Sequence, residues 1–265
     1  MKEFRAILKE VIEKDLTQEP VALLFSGGTD SLTILWTLLD LGVSVTCYTF
    51  RLERIESTDS KVAQLVAKAW RVPIQIVAAP YQEPNDLRQD VTRVIRIIKS
   101  ARKTHVEVMW AYWHLFQAVK ESQVWSGLQA DTLYGTSKSM AIKYAKDPAA
   151  FLSAREKMVA NPDQEGLRQA QRIAAHFSKS LCVPYTSQAI RDFMFAFSWS
   201  SLNRPKQKMP AVLGFEREFK QAPVYRRNDN LQCGSGIREY MQRMNGAEPV
   251  TRLYRKLFSA RSSDS

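Results

Sequence analysis

Residues 21–50 read VALLFSGGTDSLTILWTLLDLGVSVTCYTF, and this stretch decides the fold. Its first five residues form a short apolar run, which is typical of a buried strand. A glycine pair follows, and apolar residues then recur at helical spacing over residues 32–40. Gly42 is a helix-ending signal, and residues 43–50 are rich in β-branched and aromatic side chains. The stretch therefore predicts a strand, a tight loop, a helix and a second buried strand.

The same alternation continues further along the chain. A helix is predicted over about residues 60–70, and a third strand over residues 74–78. Strands that alternate with helices at this rhythm form a parallel sheet with helices on both faces. We therefore expect an α/β fold built on a doubly wound parallel sheet.

The character of the sequence changes after the third strand. Residues 87–122 favour helix with a break near residues 100–104, and residues 123–125 predict a short strand. The later part of the chain is again helical, and prolines cut it into short pieces. We expect an α/β domain over residues 1–140 and a mostly helical part over residues 141–265 that completes the functional site.

The composition is that of an ordinary globular protein. Of the 265 residues, 45% are hydrophobic and 25% charged, and no apolar run is long enough to cross a bilayer. The three cysteines are far apart and form neither a disulfide framework nor a CxxC metal motif, so a reducing cytoplasm is expected. The net charge of +11 fits a nucleic-acid partner, a site for polyanionic nucleotides or a solvated basic surface. Composition leaves these three open, and the oligomeric state as well.

The loop after the first strand has the residues of a phosphate-binding site. Ser26, Gly27, Gly28 and Ser31 lie between the carboxyl end of a strand and the amino end of a helix. Glycines let backbone N–H groups approach phosphate oxygens, the helix dipole attracts the anion, and the serines add hydroxyl donors. Asp30 would be repelled by bare phosphate, so we expect it to hold a Mg²⁺ ion that bridges the phosphates.

The pattern SGGxDS after a first strand resembles the PP-loop of the N-type ATP pyrophosphatases. The resemblance implies an adenine nucleotide α-hydrolase-like fold, with residues 1–140 as the ATP-binding domain. It also implies that ATP and Mg²⁺ are bound and that ATP is cleaved between its α- and β-phosphates, with adenylation of a second substrate. Phe25, at the end of the first strand, and Phe50, at the end of the second, join the loop residues as candidate nucleotide contacts.

A second segment is similar to the synthetase domain of asparagine synthetases. Residues 124–135, VWSGLQADTLYG, match the SGEGADELFGG segment of that family at six positions. The resemblance implies that Ser126 and Gly127 contact the nucleotide and that Asp131 is a second Mg²⁺ ligand opposite Asp30. Two carboxylates that converge on one polyphosphate require a metal ion, so physical reasoning agrees.

The later matches are fainter. Lys206 and Lys208 stand where the family carries a lysine that contacts pyrophosphate, and an ammonium group suits such a leaving group. Residues 226–236 resemble a stretch near the end of the synthetase domain, where Asn228 replaces a lysine of the family. Arg226 or Arg227 could replace that charge near the transferring phosphate, and Arg227 is our candidate.

Other departures concern the second substrate. Leu128 replaces a glutamate of the family and can neither accept a proton nor pair with an ammonium group. Position 2 is Lys, where a glutamine-hydrolysing member would need a cysteine, so no glutaminase is expected. The leading hypothesis is a ligase that adenylates a small carboxylate and forms an amide with ammonia or an amine. The alternatives are an enzyme that adenylates a base in tRNA or DNA and a non-catalytic nucleotide-binding subunit.

Overall fold

Five parallel strands form one sheet in the computed structural model, which describes residues 1–55, 57–161, 163, 166–223, 235–246 and 248–260. The strands are β1 (Val21–Leu24), β2 (Val45–Leu52), β3 (Ile74–Ala79), β4 (Gln123–Ser126) and β5 (Ser180–Cys182). Their order across the sheet is β3-β2-β1-β4-β5, and every neighbouring pair is parallel. The predicted doubly wound α/β sheet is confirmed.

Helices make up most of the remaining described structure. The first group, up to β4, is α1 (Phe4–Asp15), α2 (Thr29–Asp40), α3 (Thr58–Ala69), α4 (Pro84–Ile98) and α5 (Lys103–Ala118). The second group is α6 (Ala130–Tyr134), α7 (Lys138–Tyr144), α8 (Pro148–Val159), α9 (Leu167–His176), α10 (Gln188–Phe195), α11 (Trp199–Asn203), α12 (Met209–Gly214), α13 (Glu216–Gln221), α14 (Ile237–Gln242) and α15 (Val250–Ser259). Two 3-10 turns lie at Pro184–Thr186 and Arg243–Asn245. The helix break predicted near residues 100–104 is confirmed by the separate helices α4 and α5.

The sheet separates two apolar cores because successive strand residues point to opposite faces. In β1, Val21 and Leu23 lie in one core, and Ala22 and Leu24 lie in the other. The first core is covered by α1, α2, α3 and helices of the second group such as α10 and α11. The second core is covered by α4, α5, α9, α14 and α15. Burial on both faces explains why β1 is a continuous apolar run rather than an alternating one.

The strand order places a crevice at the carboxyl ends of β1 and β4. From β1 the chain proceeds to β2 and β3 on one side, whereas β4 and β5 lie on the other side. Open α/β sheets bind ligands at such a reversal of strand order, outside the carboxyl ends of the strands. The loops that follow β1 and β4 are those that carry the two sequence motifs.

The fifth strand was missed in the sequence. It has three residues, lies at the edge of the sheet and is only partly buried, so it has no long apolar run to mark it. It comes from the chain beyond residue 140, and the first core also joins residues from both sides of that position, for example Trp36 and Phe151. The division at residue 140 therefore stays a prediction, although the later part is mostly helical as expected.

A buried arginine ties the short helices of the later part together. Arg155 on α8 is 1% exposed and donates to the carbonyls of Leu133, Met194 and Phe197 at 3.1, 2.9 and 3.0 Å. Its guanidinium also lies over the ring of Phe151 at 4.0 Å from the ring centre. These contacts hold α6, with Asp131 in its first turn, against α8 and α10.

None of the helices in the described ranges is both long enough and apolar enough to span a bilayer.

Candidate functional site

The first motif forms a tight loop between β1 and α2. Gly27 has φ +73°, a conformation that favours glycine, and a Cβ there would lie 2.8 Å from the side chain of Val62. The Oγ of Ser26 accepts from the N–H of Gly28 at 3.2 Å, and the Oγ of Ser31 donates to the carbonyl of Gly28 at 3.0 Å. Helix α2 begins directly after Gly28, which has no side chain to cap the first N–H groups. The loop is thus preformed, with a helix amino end facing the crevice.

The second motif packs directly against the first. A Cβ on Gly127 would lie 2.9 Å from the Cβ of Asp30, closer than real Cβ atoms approach. Only glycine at this position allows the loop after β4 to contact the start of α2. Ser126 is buried, and its Oγ bonds the hydroxyl of Tyr112 at 3.1 Å and accepts from the N–H of Leu128 at 3.3 Å. The segments that resemble asparagine synthetases therefore meet at one point.

Lys208 joins the two aspartates of the motifs. Its Nζ lies 2.5 Å from Oδ2 of Asp30 and 2.8 Å from Oδ1 of Asp131. Lys208 comes from the loop before α12, and its side chain is 9% exposed, against 14% for Asp30 and 62% for Asp131. The hydroxyl of Thr136 also donates to Oδ1 of Asp131 at 2.8 Å. The cluster is closed at Asp30 and open to solvent at Asp131.

The electrostatics of the cluster follow from this burial. Burial raises the pKa of Asp30 to about 6, against the attraction of Lys208 and with some repulsion from Asp131. Burial also acts to raise the pKa of Asp131, but the Lys208 ammonium outweighs it and holds that pKa below its usual value. Burial acts to lower the pKa of Lys208, but the two carboxylates outweigh it and raise that pKa above its usual value. Lys208 is therefore a charged ammonium group between two carboxyl groups.

The donor set fits a Mg²⁺ ion. Oδ1 of Asp30 is buried and has no hydrogen-bond partner, which is costly unless another group binds it. Asp30 and Asp131 already approach one cation, and both offer the hard oxygen ligands that Mg²⁺ prefers. Within the described ranges, no group of three or more His, Cys, Asp or Glu residues could hold a metal alone. The protein would supply two ligands, and substrate phosphates and water the remainder.

Several other predicted residues lie apart from this cluster. Phe25 and Phe50 are each 3% exposed, so contact with a nucleotide would have to come from their backbone atoms. The ring of Phe50 packs against Trp110, with 5.8 Å between ring centres. Lys206 is exposed, unlike Lys208. Three residues named from the sequence lie outside the described residues: Arg226, Arg227 and Asn228.

The structure adds residues that the sequence motifs did not indicate. Thr136 orients Asp131 from five residues further along, a spacing that carries no recognisable signal. The hydroxyl of Tyr185 bonds Oγ1 of Thr33 on α2 at 2.9 Å, which ties the segment after β5 to the helix of the first motif. Leu128 is partly buried and packs against the second core, so the environment at this position is apolar as expected.

The fold and the site agree with the comparison to protein families. The Asparagine synthase family matches residues 3–188, which is more than half of the chain. The chain belongs to this family and, with it, to the PP-loop ATP pyrophosphatase superfamily. The parallel five-stranded sheet with helices on both faces agrees with the adenine nucleotide α-hydrolase-like fold that this membership implies.

The comparison with individual proteins is less specific. A solved structure described as "predicted subunit of tRNA methyltransferase" from Methanocaldococcus jannaschii is similar at 15% identity, with a TM-score of 0.36. The match covers 66% of this chain and 73% of the other. No curated protein matches this chain significantly.

Proposed function

We propose that this protein is an ATP-dependent, AMP- and pyrophosphate-forming ligase that adenylates a carboxylate and forms an amide with ammonia or an amine. The observation that supports it is the pair Asp30 and Asp131, bridged by Lys208 at the carboxyl ends of β1 and β4. Two carboxylates beside a glycine loop suit a metal-bound polyphosphate, and Lys208 adds a compact cation for the leaving group.

ATP is the nucleotide substrate in this proposal. The backbone of Gly27 and Gly28 and the hydroxyls of Ser26 and Ser31 would contact its phosphates, with further contacts from Gly127. Mg²⁺ held by Asp30 and Asp131 would neutralise phosphate charge and so favour attack at phosphorus. Ser126 would mainly hold the loop after β4 in place, because its hydroxyl is already bonded to Tyr112 and to the backbone of Leu128.

The reaction has two steps. A carboxylate oxygen of the acceptor attacks the α-phosphorus, the bond to the α–β bridging oxygen breaks, and pyrophosphate leaves with that electron pair. Lys208 would stabilise the departing charge, and Arg227 remains our candidate for a second cation near the phosphorus. Ammonia or an amine then adds to the acyl carbon and loses a proton, and AMP leaves.

Leu128 limits the protonation state in which the nitrogen nucleophile can react. An apolar side chain at this position can neither bind an ammonium group nor remove a proton from one. The nitrogen nucleophile would therefore have to arrive as a neutral amine or as ammonia. Localisation in a reducing cytoplasm is part of the same proposal and agrees with the free thiols of Cys47 and Cys182.

A second candidate is adenylation of a base in tRNA or DNA by the same ATP chemistry. The net charge of +11 favours it, because the carboxylate reaction needs no such excess. The carbonyl oxygen of a base would then attack phosphorus in place of the carboxylate.

Pyrophosphate exchange into ATP tests the proposal and separates the candidates. The protein is incubated with Mg²⁺, ATP and labelled pyrophosphate, and with one acceptor at a time from panels of amino acids, small carboxylates and mixed tRNA. Exchange that depends on a small carboxylate supports the ligase, and exchange that depends on tRNA supports the second candidate. Absence of exchange with every acceptor, although ATP binds, would favour a non-catalytic subunit.

A further inference from the structure

Three helices on one face of the molecule concentrate its positive charge. Helix α4 packs against α9 and against α15, and all three cover the second core. Their apolar residues point inward, for example Val94 on α4 and Leu253 on α15. The polar sides of the three helices therefore face solvent side by side.

The charged residues in the segments that form this face are all positive. Residues 91–106, 166–177 and 249–260 contain ten lysines and arginines and no aspartate or glutamate. The net charge of the whole chain is +11, so these three segments account for nearly all of it. Four acidic residues lie beside these segments and pair with four of the ten cations: Asp90, Glu107, Asp163 and Glu248. The face retains a net charge of +6 when they are counted.

Several of the cations have no acidic partner. Arg96, Lys99, Arg255 and Lys256 are exposed, and in the part of the chain that the structure describes no carboxylate lies within 4.0 Å of them. Like charges on adjacent helices repel one another and so destabilise the folded state. An arrangement of this kind is favourable when a polyanion covers it.

A polar cleft of about 530 Å³ lies within this face, between the α4–α5 connection and α9. Its lining includes Lys99, Arg102 and Arg172, and Arg172 donates to the carbonyl of Ile98 at 2.6 Å, which ties α9 to the end of α4. The carboxylate of Asp163 also lines the cleft, and it pairs with Arg168. The lining therefore offers three cations for phosphate against one carboxylate.

We propose that the face formed by α9, α4 and α15 binds the phosphate backbone of a nucleic acid. An anionic membrane is the poorer fit, because surface-binding helices insert apolar side chains, and on α15 Val250, Leu253 and Tyr254 are buried in the second core and Leu257 packs against it, which leaves Phe258. The proposal concerns a surface of the protein and does not depend on the reaction at the aspartate cluster.

Charge-reversal variants test this surface directly. The face variant, R96E/R255E/K256E, reverses three charges on α4 and α15. The control variant, K9E/K14E/K68E, reverses the same number of charges on α1 and α3. The control residues are exposed helical lysines on helices that cover the first core. Binding of a fluorescein-labelled 30-nucleotide RNA and a 30-base-pair DNA duplex is measured by anisotropy without ATP, from 50 to 300 mM KCl.

We expect the face variant to lose at least tenfold in affinity at low salt, while the control variant changes less than threefold. The slope of log affinity against log salt should fall by about two to three for the face variant, since each lost phosphate contact removes about 0.9 for duplex DNA. Equal losses in both variants would overturn the proposal, because net charge alone would then explain binding. Absence of binding by the unmodified protein at 50 mM KCl would also overturn it, as would binding to phosphatidylserine vesicles but to neither nucleic acid.

Discussion

Lys208 occupies the position between two carboxylates where the proposed function needs a cation. Without metal or nucleotide, its ammonium group is the only positive charge that the described residues place within 4.0 Å of Asp30 and Asp131. Removal of a single partner from a buried charge cluster leaves the remaining charges unpaired, which is strongly destabilising. The residue therefore has a structural role in the free protein and, by our proposal, a catalytic one with ATP.

The variant Lys208→Met separates these two roles. We expect its melting temperature at pH 7.5 to fall by several degrees without Mg²⁺, because the buried carboxyl group of Asp30 and that of Asp131 then repel each other with no cation between them. Addition of 10 mM Mg²⁺ should restore most of the loss, while ATP-dependent pyrophosphate release stays at least 100-fold below that of the unmodified protein. Thermal unfolding and a pyrophosphate assay measure the two effects.

Lys206→Met is the matched comparison, since Lys206 is exposed and only two residues away. It should melt within one or two degrees of the unmodified protein and retain its activity. Loss of activity in Lys206→Met with normal activity in Lys208→Met would contradict the proposal, because Lys206 and not Lys208 would then contact the pyrophosphate.

Leu128→Glu tests whether residue 128 lies beside the acceptor substrate. A carboxylate in this partly buried apolar environment would be poorly solvated, so we expect acceptor-dependent turnover to fall at least tenfold. The dissociation constant for ATP should stay within about threefold, because the phosphate-binding loop follows a different strand. Leu128→Met, which keeps an apolar side chain of similar size, controls for packing. Unchanged or improved acceptor turnover in Leu128→Glu would show that position 128 does not face the acceptor.

At the scale of elements, the site depends on contact between the loop after β1 and the loop after β4. Gly127→Ala should disturb that contact alone, since a Cβ there would lie 2.9 Å from the Cβ of Asp30 and Gly127 does not have a positive φ. We expect at least a tenfold weaker affinity for ATP and Mg²⁺, with a cooperative unfolding transition retained. Titration calorimetry measures the affinity.

Gly42→Ala gives the comparison for a glycine far from any contact. Gly42 has φ +74° and no atom within 4 Å of an added Cβ, so the change should cost about 1 kcal/mol of stability and no ATP affinity. Normal ATP affinity in Gly127→Ala would mean that the two loops need not touch for nucleotide binding.

Arg155 is the residue on which the arrangement of α6, α8 and α10 depends. Arg155→Leu removes donors from three buried carbonyl groups, and we expect it to lower the free energy of unfolding by about 3–5 kcal/mol. Urea unfolding at pH 7 measures the change, and Lys157→Leu, an exposed position on the same helix, should alter it by less than about 0.5 kcal/mol. A loss below about 1 kcal/mol for Arg155→Leu would show that water replaces these bonds.

Sequence patterns predicted the elements whose apolar runs are continuous. Strands β1 and β2 are buried on both faces, and the glycine pair after β1 marks a turn that few other residues allow. Strand β5 gave no signal, because three residues at a sheet edge, one exposed and two partly buried, resemble a loop. Thr136 and Arg155 were also missed, since their bonds are made by tertiary packing and follow no period in the sequence.

At the level of the whole molecule, the two candidate sites lie at different places on the fold. The aspartate cluster lies at the carboxyl ends of the central strands, whereas the excess of positive charge lies on the helices over the second core. The motifs predicted which residues form the first site, but charge composition did not indicate where the basic residues would gather. That placement required the packing of α4 between α9 and α15.

The position of ATP cleavage decides whether the aspartate cluster catalyses adenylation. The protein is incubated with Mg²⁺ and ATP labelled at the α-phosphate, together with the panels of amino acids, small carboxylates and tRNA, and the labelled products are separated. We expect labelled AMP or an adenylated acceptor, with an equal amount of pyrophosphate, and loss of both in Asp30→Asn. Labelled ADP with free phosphate as the products would contradict it, because cleavage would then occur between the β- and γ-phosphates.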